Sequence, residues 1–342
     1  MTSKRVLIWL PSPLGDAIMA TPALREFRSL FPDASITFLG PAFTRGVLSP
    51  SPFCDEWLDL EKSFWKNIRQ IKAGHFDTAI TLKNSFGSAL TLWLAEIGRR
   101  IGYARDGRSF LLTGKIAPLR NNNGSFQPAA MIDYYLKIAD HLGGCTDTKK
   151  TELSVCPEDT ETVLEMLPQL KSLTGPLVII VPGGAFGPSK LWPIQRYAEL
   201  ADDLYDACSA TVILSVAPIK EEVLIAESIC HRAASEPVNL GMTSLNGGQL
   251  KALYALADLV ITNDTGPRHI AIALDKNIIT LFGPNNPQWT QTAHEKEVQI
   301  IGQAPCVPCD KPVCKQDQHL CMESITVDQV FETAEKILKA KH

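Results

Sequence analysis

A chain of 342 residues is long for one hydrophobic core, and two domains are expected from length alone. Hydrophobic residues make up 45% and charged residues 20%, with a formal net charge of −4, a balance that excludes a disordered or fibrous chain. No apolar run approaches the roughly 18–20 residues that cross a bilayer, because Pro11 cuts the first run and Pro182-Gly183-Gly184 a later one. The apolar stretch after Lys4 and Arg5 is too short for a secretory signal and runs into Gly15-Asp16, so a cytoplasmic location is expected.

Short β-rich runs alternate with amphipathic helical stretches from the first residues onward, the pattern of parallel βαβ units. Residues 5–10, 35–39, 56–60 and 77–82 read as strands, and 16–31 and 86–97 as helices, giving one Rossmann-like sheet. Asn121-Asn122-Asn123-Gly124-Ser125 reads as a polar loop ahead of a helix over 129–142. A helix near 158–171 and the turn Thr174-Gly175-Pro176 precede a second run of units. Its strands are expected at 177–181, 211–214, 259–262 and 278–282, its helices at 193–205, 221–232, 250–257 and 266–274, and a last amphipathic helix at 325–340. The expected organisation is a first domain over 1–150, a linker over 151–175 and a second domain over 176–342, both α/β and doubly wound, with a cleft between them.

The charge is uneven. Residues 1–150 hold 19 Lys+Arg against 13 Asp+Glu, and the remainder 14 against 24. A basic first domain attracts anions such as phosphorylated glycans or anionic lipid headgroups. No nucleic-acid-binding motif accompanies it, and nucleic acid is not expected as a partner. Lys62, Lys66, Arg69, Arg99, Arg100, Arg105 and Arg120 form the candidate pool for an anionic acceptor.

Three strand-to-helix loops carry candidate chemistry, since ligands of open α/β sheets sit beyond the carboxyl ends of the strands. In Pro11-Ser12-Pro13-Leu14-Gly15-Asp16, Asp16 can cap or line the first turn of a helix, or act as a general base. The loop over 182–193 combines Gly183, Gly184 and Gly187 with Lys190 and Pro193; it can be a phosphate cradle, though it fits neither Walker A nor GxGxxG, or simply a turn. In Asn263-Asp264-Thr265-Gly266-Pro267-Arg268-His269, helix N-terminal amides at Thr265 and Gly266 would receive a diphosphate, with His269 one turn on. Asn263 and Asp264 can equally cap that helix, and His269 can be a satisfied semi-buried side chain.

Cys54, Cys145, Cys156, Cys208 and Cys230 are scattered among apolar segments and read as structural. Cys306, Cys309, Cys314 and Cys321 form a cluster open to a structural zinc or iron–sulfur group, disulfides, or free thiols, and a reducing cytoplasm disfavours the disulfides.

Together these loops resemble the heptosyltransferases, the family 9 glycosyltransferases, and most of all their heptosyltransferase II branch. The likeness rests on Gly15-Asp16 followed by Thr21-Pro22-Ala23-Leu24, on the segment 182–193, and on 263–271 followed by Leu281-Phe282-Gly283-Pro284 and Pro287. The resemblance implies a GT-B architecture, with an acceptor mainly on the first domain and a nucleotide sugar mainly on the second. It further implies an inverting transfer from ADP-heptose to the lipopolysaccharide inner core, at the inner face of the cytoplasmic membrane, with no cofactor required. Asp16 would be the base, and Lys190, Thr265, Gly266 and His269 would meet the diphosphate, while Asp264 organises the loop. One departure touches the ribose: many relatives carry a glycine and then an acid after the strand at 211–214, where this chain reads Ser215-Val216-Ala217-Pro218-Ile219-Lys220-Glu221-Glu222. Glu221 or Glu222 is the candidate. Another GT-B transferase, a nucleotide-sugar epimerase, and a non-catalytic nucleotide- or metal-binding module are the competing expectations.

Overall fold

The computed structural model describes residues 4–118, 120, 129–184 and 186–340. The polar loop read at Asn121 to Ser125, and Ala185 of the second loop, lie outside them. The chain divides into two units, Met1–Ser154 and Val155–His342.

The first unit is one parallel sheet of β1 (Arg5–Trp9), β2 (Ser35–Gly40), β3 (Glu56–Asp59), β4 (Thr78–Thr81), β5 (Arg99–Tyr103) and β6 (Gly114–Ile116), in the order β3-β2-β1-β4-β5-β6. Val6, Leu7 and Ile8 have no exposed surface, as expected of a parallel strand covered on both faces by crossover helices. The helix expected over 16–31 is two, Leu14–Met19 and Thr21–Leu30, since Pro22 has no N–H to give to a continuous ladder. β5 and β6 went unread: β5 opens with Arg99-Arg100, and β6 is three residues that begin with glycine.

The second unit repeats the plan with β7 (Leu177–Val181), β8 (Thr211–Leu214), β9 (Val238–Asn239), β10 (Leu259–Asn263), β11 (Asn277–Phe282) and β12 (Glu297–Ile301), in the order β12-β11-β10-β7-β8-β9. The stretch 151–175 joins the second unit from Val155 onward. It holds the helix Pro157–Met166 and the 3-10 turn Pro168–Ser172, and a Cβ on Gly248 would come to 2.3 Å from Asp159 Oδ2, so this helix lies close against Gly247–Leu256. Trp192, fully buried, donates its Nε1–H to the Ile325 carbonyl at 2.9 Å and meets Tyr197 edge-on, anchoring the approach to the last helix, Val327–Lys339. Among the described residues no helix is long and apolar enough to cross a membrane.

Candidate functional site

In both all-parallel sheets the strand order reverses at one place, between β1 and β4 in the first unit and between β7 and β10 in the second. Loops leaving these neighbouring strands flank the position where open α/β sheets bind ligands.

In the second unit, β7 and β10 pair in register from Leu259↔Val178 to Thr262↔Val181. The loops at 182–193 and at Asp264-Thr265 therefore leave the sheet side by side. They touch at a glycine, because a Cβ on Gly184 would come to 2.6 Å from Thr265 Cγ2. Lys190 ends the 3-10 turn Pro188–Lys190 and is buried. Its Nζ donates to the Asp264 carbonyl, lies 3.4 Å from Asp264 Oδ2, and stands 4.8 Å from the centre of the Phe186 ring. Burial pulls the Lys190 pKa below its ordinary value, and Asp264 opposes that pull. Burial by itself would raise the Asp264 pKa, but Lys190 and Arg268 outweigh it and hold the carboxyl below the usual carboxylate value.

Thr265 is the N-cap residue of the helix Gly266–Ala273, yet its side chain makes no capping bond, and Pro267 contributes no donor. That first turn begins just beyond the end of β10, and the N-terminus of a helix favours an anion through its amides and dipole. His269 is another matter. Burial pushes its pKa down to about 3, with Arg268 adding to the effect, so the ring is neutral. Its Nε2 is 4.0 Å from Asp264 Oδ1, and its buried Nδ1 has no hydrogen-bond partner among the described residues. The expected help of His269 to phosphates is thus limited to a neutral hydrogen bond and brings no charge.

Sequence reasoning passed over Arg268 and Glu297. Arg268, fully buried, places Nη1 3.0 Å from Asp264 Oδ1 and 3.0 Å from the Thr290 carbonyl. Its Nε and Nη2 meet Glu297 Oε1 and Oε2 at 2.6 and 3.0 Å. Thr280 Oγ1 and Gln299 Nε2 complete the Glu297 carboxylate at 2.5 and 3.0 Å. No local spacing could have announced a pair separated by 29 positions.

Of the two candidate ribose acids, Glu222 is engaged. Its carboxylate accepts from Gly184 N at 3.1 Å and Ala217 N at 2.7 Å, tying the loop after β7 to the loop after β8. Glu221 stands in the first turn of the helix Lys220–Arg232. Beyond β8 and β9 opens a cavity of about 460 Å³ lined by Pro218, Lys220, Val223, Leu224, Gly241 and Met242, which sequence reasoning did not foresee.

The cysteine-rich segment packs against the Lys190 turn. Gly187 has φ +145°, a value open to glycine alone, and a Cβ there would lie 2.4 Å from the Pro312 carbonyl oxygen. Ser189 donates to that carbonyl from its N–H at 3.2 Å and from Oγ to the Lys311 carbonyl at 2.6 Å. Burial raises the Cys321 thiol pKa, and Cys306, Cys314 and Cys309 add to it, so the four thiols share one neighbourhood. Among the described residues, however, no group of three or more His, Cys, Asp or Glu is arranged to hold a metal ion.

In the first unit, Asp16 lies in the first turn of Leu14–Met19, just beyond β1, with Pro13 in the N-cap position. Its charge raises the Tyr135 pKa after burial has done so, which places it near that phenol. The loop after β4 is built by Arg108, fully buried, which donates to the carbonyls of Tyr103 at 3.0 Å, Lys83 at 2.5 Å and Ser85 at 3.2 Å and to Asn84 Oδ1 at 2.8 Å. Arg99 and Arg100 open β5 at its amino end, and Arg100 Nε is committed to the Leu111 carbonyl at 2.7 Å. These two leave the pool of acceptor candidates, because ligands bind at the opposite end of the strands.

Comparison with known proteins agrees with this geometry. Residues 64–320 match the model of glycosyltransferase family 9 (heptosyltransferase). Lipooligosaccharide heptosyltransferase 2 of Haemophilus ducreyi is 27% identical, over 98% of this chain and 99% of that one. Lipopolysaccharide heptosyltransferase 2 of Salmonella typhimurium is 28% identical over 98% of each. The solved structure of Escherichia coli ADP-heptose lipopolysaccharide heptosyltransferase II superposes with a TM-score of 0.81 at 26% identity, covering 98% of this chain and 99% of that one. A family 9 transferase from Veillonella parvula gives 0.83 at 22% identity, covering 98% and 97%. The chain belongs to glycosyltransferase family 9, has the GT-B fold and is a glycosyltransferase.

The depressed His269 pKa has a consequence in solution. The unfolded imidazole takes a proton near pH 6.5 and the folded one only near pH 3, so the stability it contributes is full above 6.5 and is lost as the pH falls through that window. Nitrogen-15 NMR of the imidazole should show a neutral ring with no titration between about pH 5 and 8; a midpoint inside that range would contradict the buried, neutral assignment.

Proposed function

We propose that this family 9 glycosyltransferase moves heptose from ADP-heptose to the inner core of lipopolysaccharide, inverting the anomeric configuration. The observation that carries the reading is the pairing of β7 with β10, which sets a buried lysine beside a helix N-terminus. One cation and a fan of amides suit the diphosphate of a nucleotide sugar. Its nucleoside end is assigned to the cavity at Pro218 and Met242, with Glu222 on the wall between. The names of the Haemophilus and Salmonella relatives, a lipooligosaccharide and a lipopolysaccharide heptosyltransferase, support heptose as the sugar.

In the first unit Asp16 is assigned as the base. It takes the proton of an acceptor hydroxyl, whose oxygen forms the new bond to the anomeric carbon as the bond to the ADP oxygen breaks. Lys190 and the amides at Thr265 and Gly266 stabilise the charge that collects on ADP, and Asp264 holds the loop. Lys62, Lys66, Arg69, Arg105 and Arg120 remain the candidates for an anionic acceptor.

A place at the inner face of the cytoplasmic membrane suits such an acceptor. The helices Phe64–Ala73 and Phe86–Leu94 are packed neighbours, and both begin at the carboxyl end of the sheet. Trp65, 64% exposed, stands in the first turn of one; Phe110, 70% exposed, lies 6.2 Å from Phe86 in the first turn of the other. Exposed aromatics beside Lys62 and Lys66 are the composition of an interfacial contact.

The four cysteines are assigned to bracing the Lys190 turn from behind. A structural zinc or iron–sulfur group would need Cys306, Cys309, Cys314 and Cys321 drawn closer together, and no step of transfer is routed through one.

Three measurements test these assignments. ADP release should require a truncated core acceptor, and Asp16→Asn should lower kcat by roughly 10²–10⁴-fold while ADP affinity persists; near-normal kcat in a folded variant removes Asp16 as base, and acceptor-independent conversion of ADP-heptose favours an epimerase. Vesicles containing phosphatidylglycerol should co-sediment the protein, and Trp65→Ser with Phe110→Ser should weaken that without altering kcat on a water-soluble acceptor; equal binding to uncharged vesicles would count against an anionic surface. Elemental analysis of the purified protein should find zinc and iron well below one equivalent, whereas a full equivalent lost in Cys309→Ser would establish a metal centre.

A further inference from the structure

Lys190, Asp264, Arg268 and Glu297 form a row of alternating charge that starts at the phosphate loop and ends on β12. An ammonium facing a carboxylate in a buried place normally closes onto it and is neutralised. Here the two do form an ion pair, but a long one. Asp264 gives Oδ1 to Arg268 at 3.0 Å, and its Oδ2 stays 3.4 Å from Lys190 Nζ, whose nearer partner is the uncharged Asp264 carbonyl. Arg268 in turn cannot follow Asp264 towards Lys190. Both Glu297 oxygens grip its guanidinium, the Thr290 carbonyl takes a further N–H, and the Phe282 ring lies with its centre 5.2 Å from the guanidinium carbon. Arg268 has no exposed surface and therefore cannot meet a ligand itself.

We propose that Arg268, anchored by Glu297, is a positioning residue for Lys190: it holds one oxygen of Asp264 so that this carboxylate keeps a long contact with the ammonium and does not close fully onto it, leaving part of its positive charge for the diphosphate of the donor. The proposal rests on the assignment of Lys190 to the donor site. It assigns Glu297 a role at a distance, since a carboxylate on the edge strand compensates the guanidinium that restrains Asp264. It also gives a reason for four charged groups in one buried row, where a neutral core would fold as well.

The groups that face Lys190 are Asp264, Arg268 and Asp310, with neutral His269 behind them. Arg268 lowers the proton affinity of Lys190, and Asp264 raises it. Two variants of the full chain should therefore move Lys190 in opposite directions. The double variant Arg268→Met with Glu297→Gln removes a buried neutral pair as a pair, a change that folded proteins tolerate. Asp264 then closes onto Lys190, ADP affinity at neutral pH falls on the order of tenfold, and the alkaline limb of ADP binding, where Lys190 loses its proton, moves to higher pH. Glu297→Gln alone leaves the Arg268 charge uncompensated. ADP affinity at neutral pH is then kept, and the alkaline limb moves to lower pH.

Calorimetry with ADP as the probe, in a pH series, with thermal unfolding recorded for each variant, reads these effects. Opposite shifts of the limb are the expected result. Limbs that stay in place, or that move the same way in both variants, overturn the proposal and reduce the pair to a structural brace. Should the double variant fail to fold, the downward limb of Glu297→Gln decides alone, and an unmoved or raised limb overturns the proposal. Lys190→Ala is the control on the premise: unchanged ADP affinity there removes Lys190 from the donor site, an outcome separate from either result above.

Discussion

Where Val181 stands opposite Thr262, two segments of the chain leave a parallel sheet together and carry their polar groups into a buried space. The buried row of charge that begins at Lys190 follows from that pairing. Lys190 can be buried there because the carbonyl and carboxylate of Asp264 face it; Asp264 can be ionised because Arg268 takes its other oxygen; Arg268 can be charged because Glu297 grips it with two. Each compensation creates the next requirement, and the row ends only when Thr280 and Gln299 satisfy the last carboxylate. A slip of one residue in the β7–β10 register would turn every side chain to the other face and separate Gly184 from Thr265.

That dependence also explains which parts of the fold could be read from the chain. β7 and β8 show as apolar runs with sharp ends, since both faces of a central parallel strand are covered, and both are found where the sequence placed them. β12 did not show. Its sequence EVQII opens with Glu297 and carries Gln299, and those two residues are polar because one grips Arg268 and the other supports the grip. The strand was hidden by the residues that its neighbours need. β9 is two residues long and offers no period to detect. In the first unit the break between Met19 and Thr21 was signalled by Pro22, which a strong amphipathic pattern over 16–31 overrode.

Loop chemistry was more legible than long-range electrostatics. Glycines beside a lysine, and an Asx-Thr-Gly turn before a helix, announce backbone donors directly, because only a few residue types permit those conformations. The ring of His269 is open to two readings in the sequence, a phosphate contact or a satisfied semi-buried side chain. Its neutral state depends on how deeply the first turn of Gly266–Ala273 is buried and on Arg268 beside it, neither of which is local information.

The cysteine-rich segment belongs to the same electrostatic problem although no thiol reaches the lysine. Pro312 presses its carbonyl against Gly187 and receives the N–H of Ser189, so this segment is the back wall of the Lys190 turn. Asp310 sits on that wall, held where the N–H groups of Cys309 and Asp310 both reach the Pro284 carbonyl at 2.9 Å, and its negative charge favours the protonated lysine. Pro284 itself follows β11, the strand next to β10. The Lys190 charge is thus set from two sides, by Arg268 through Asp264 and by Asp310 through the loop after β11. A change in the cysteine segment that moved Asp310 would alter the phosphate loop without touching any group that meets the donor.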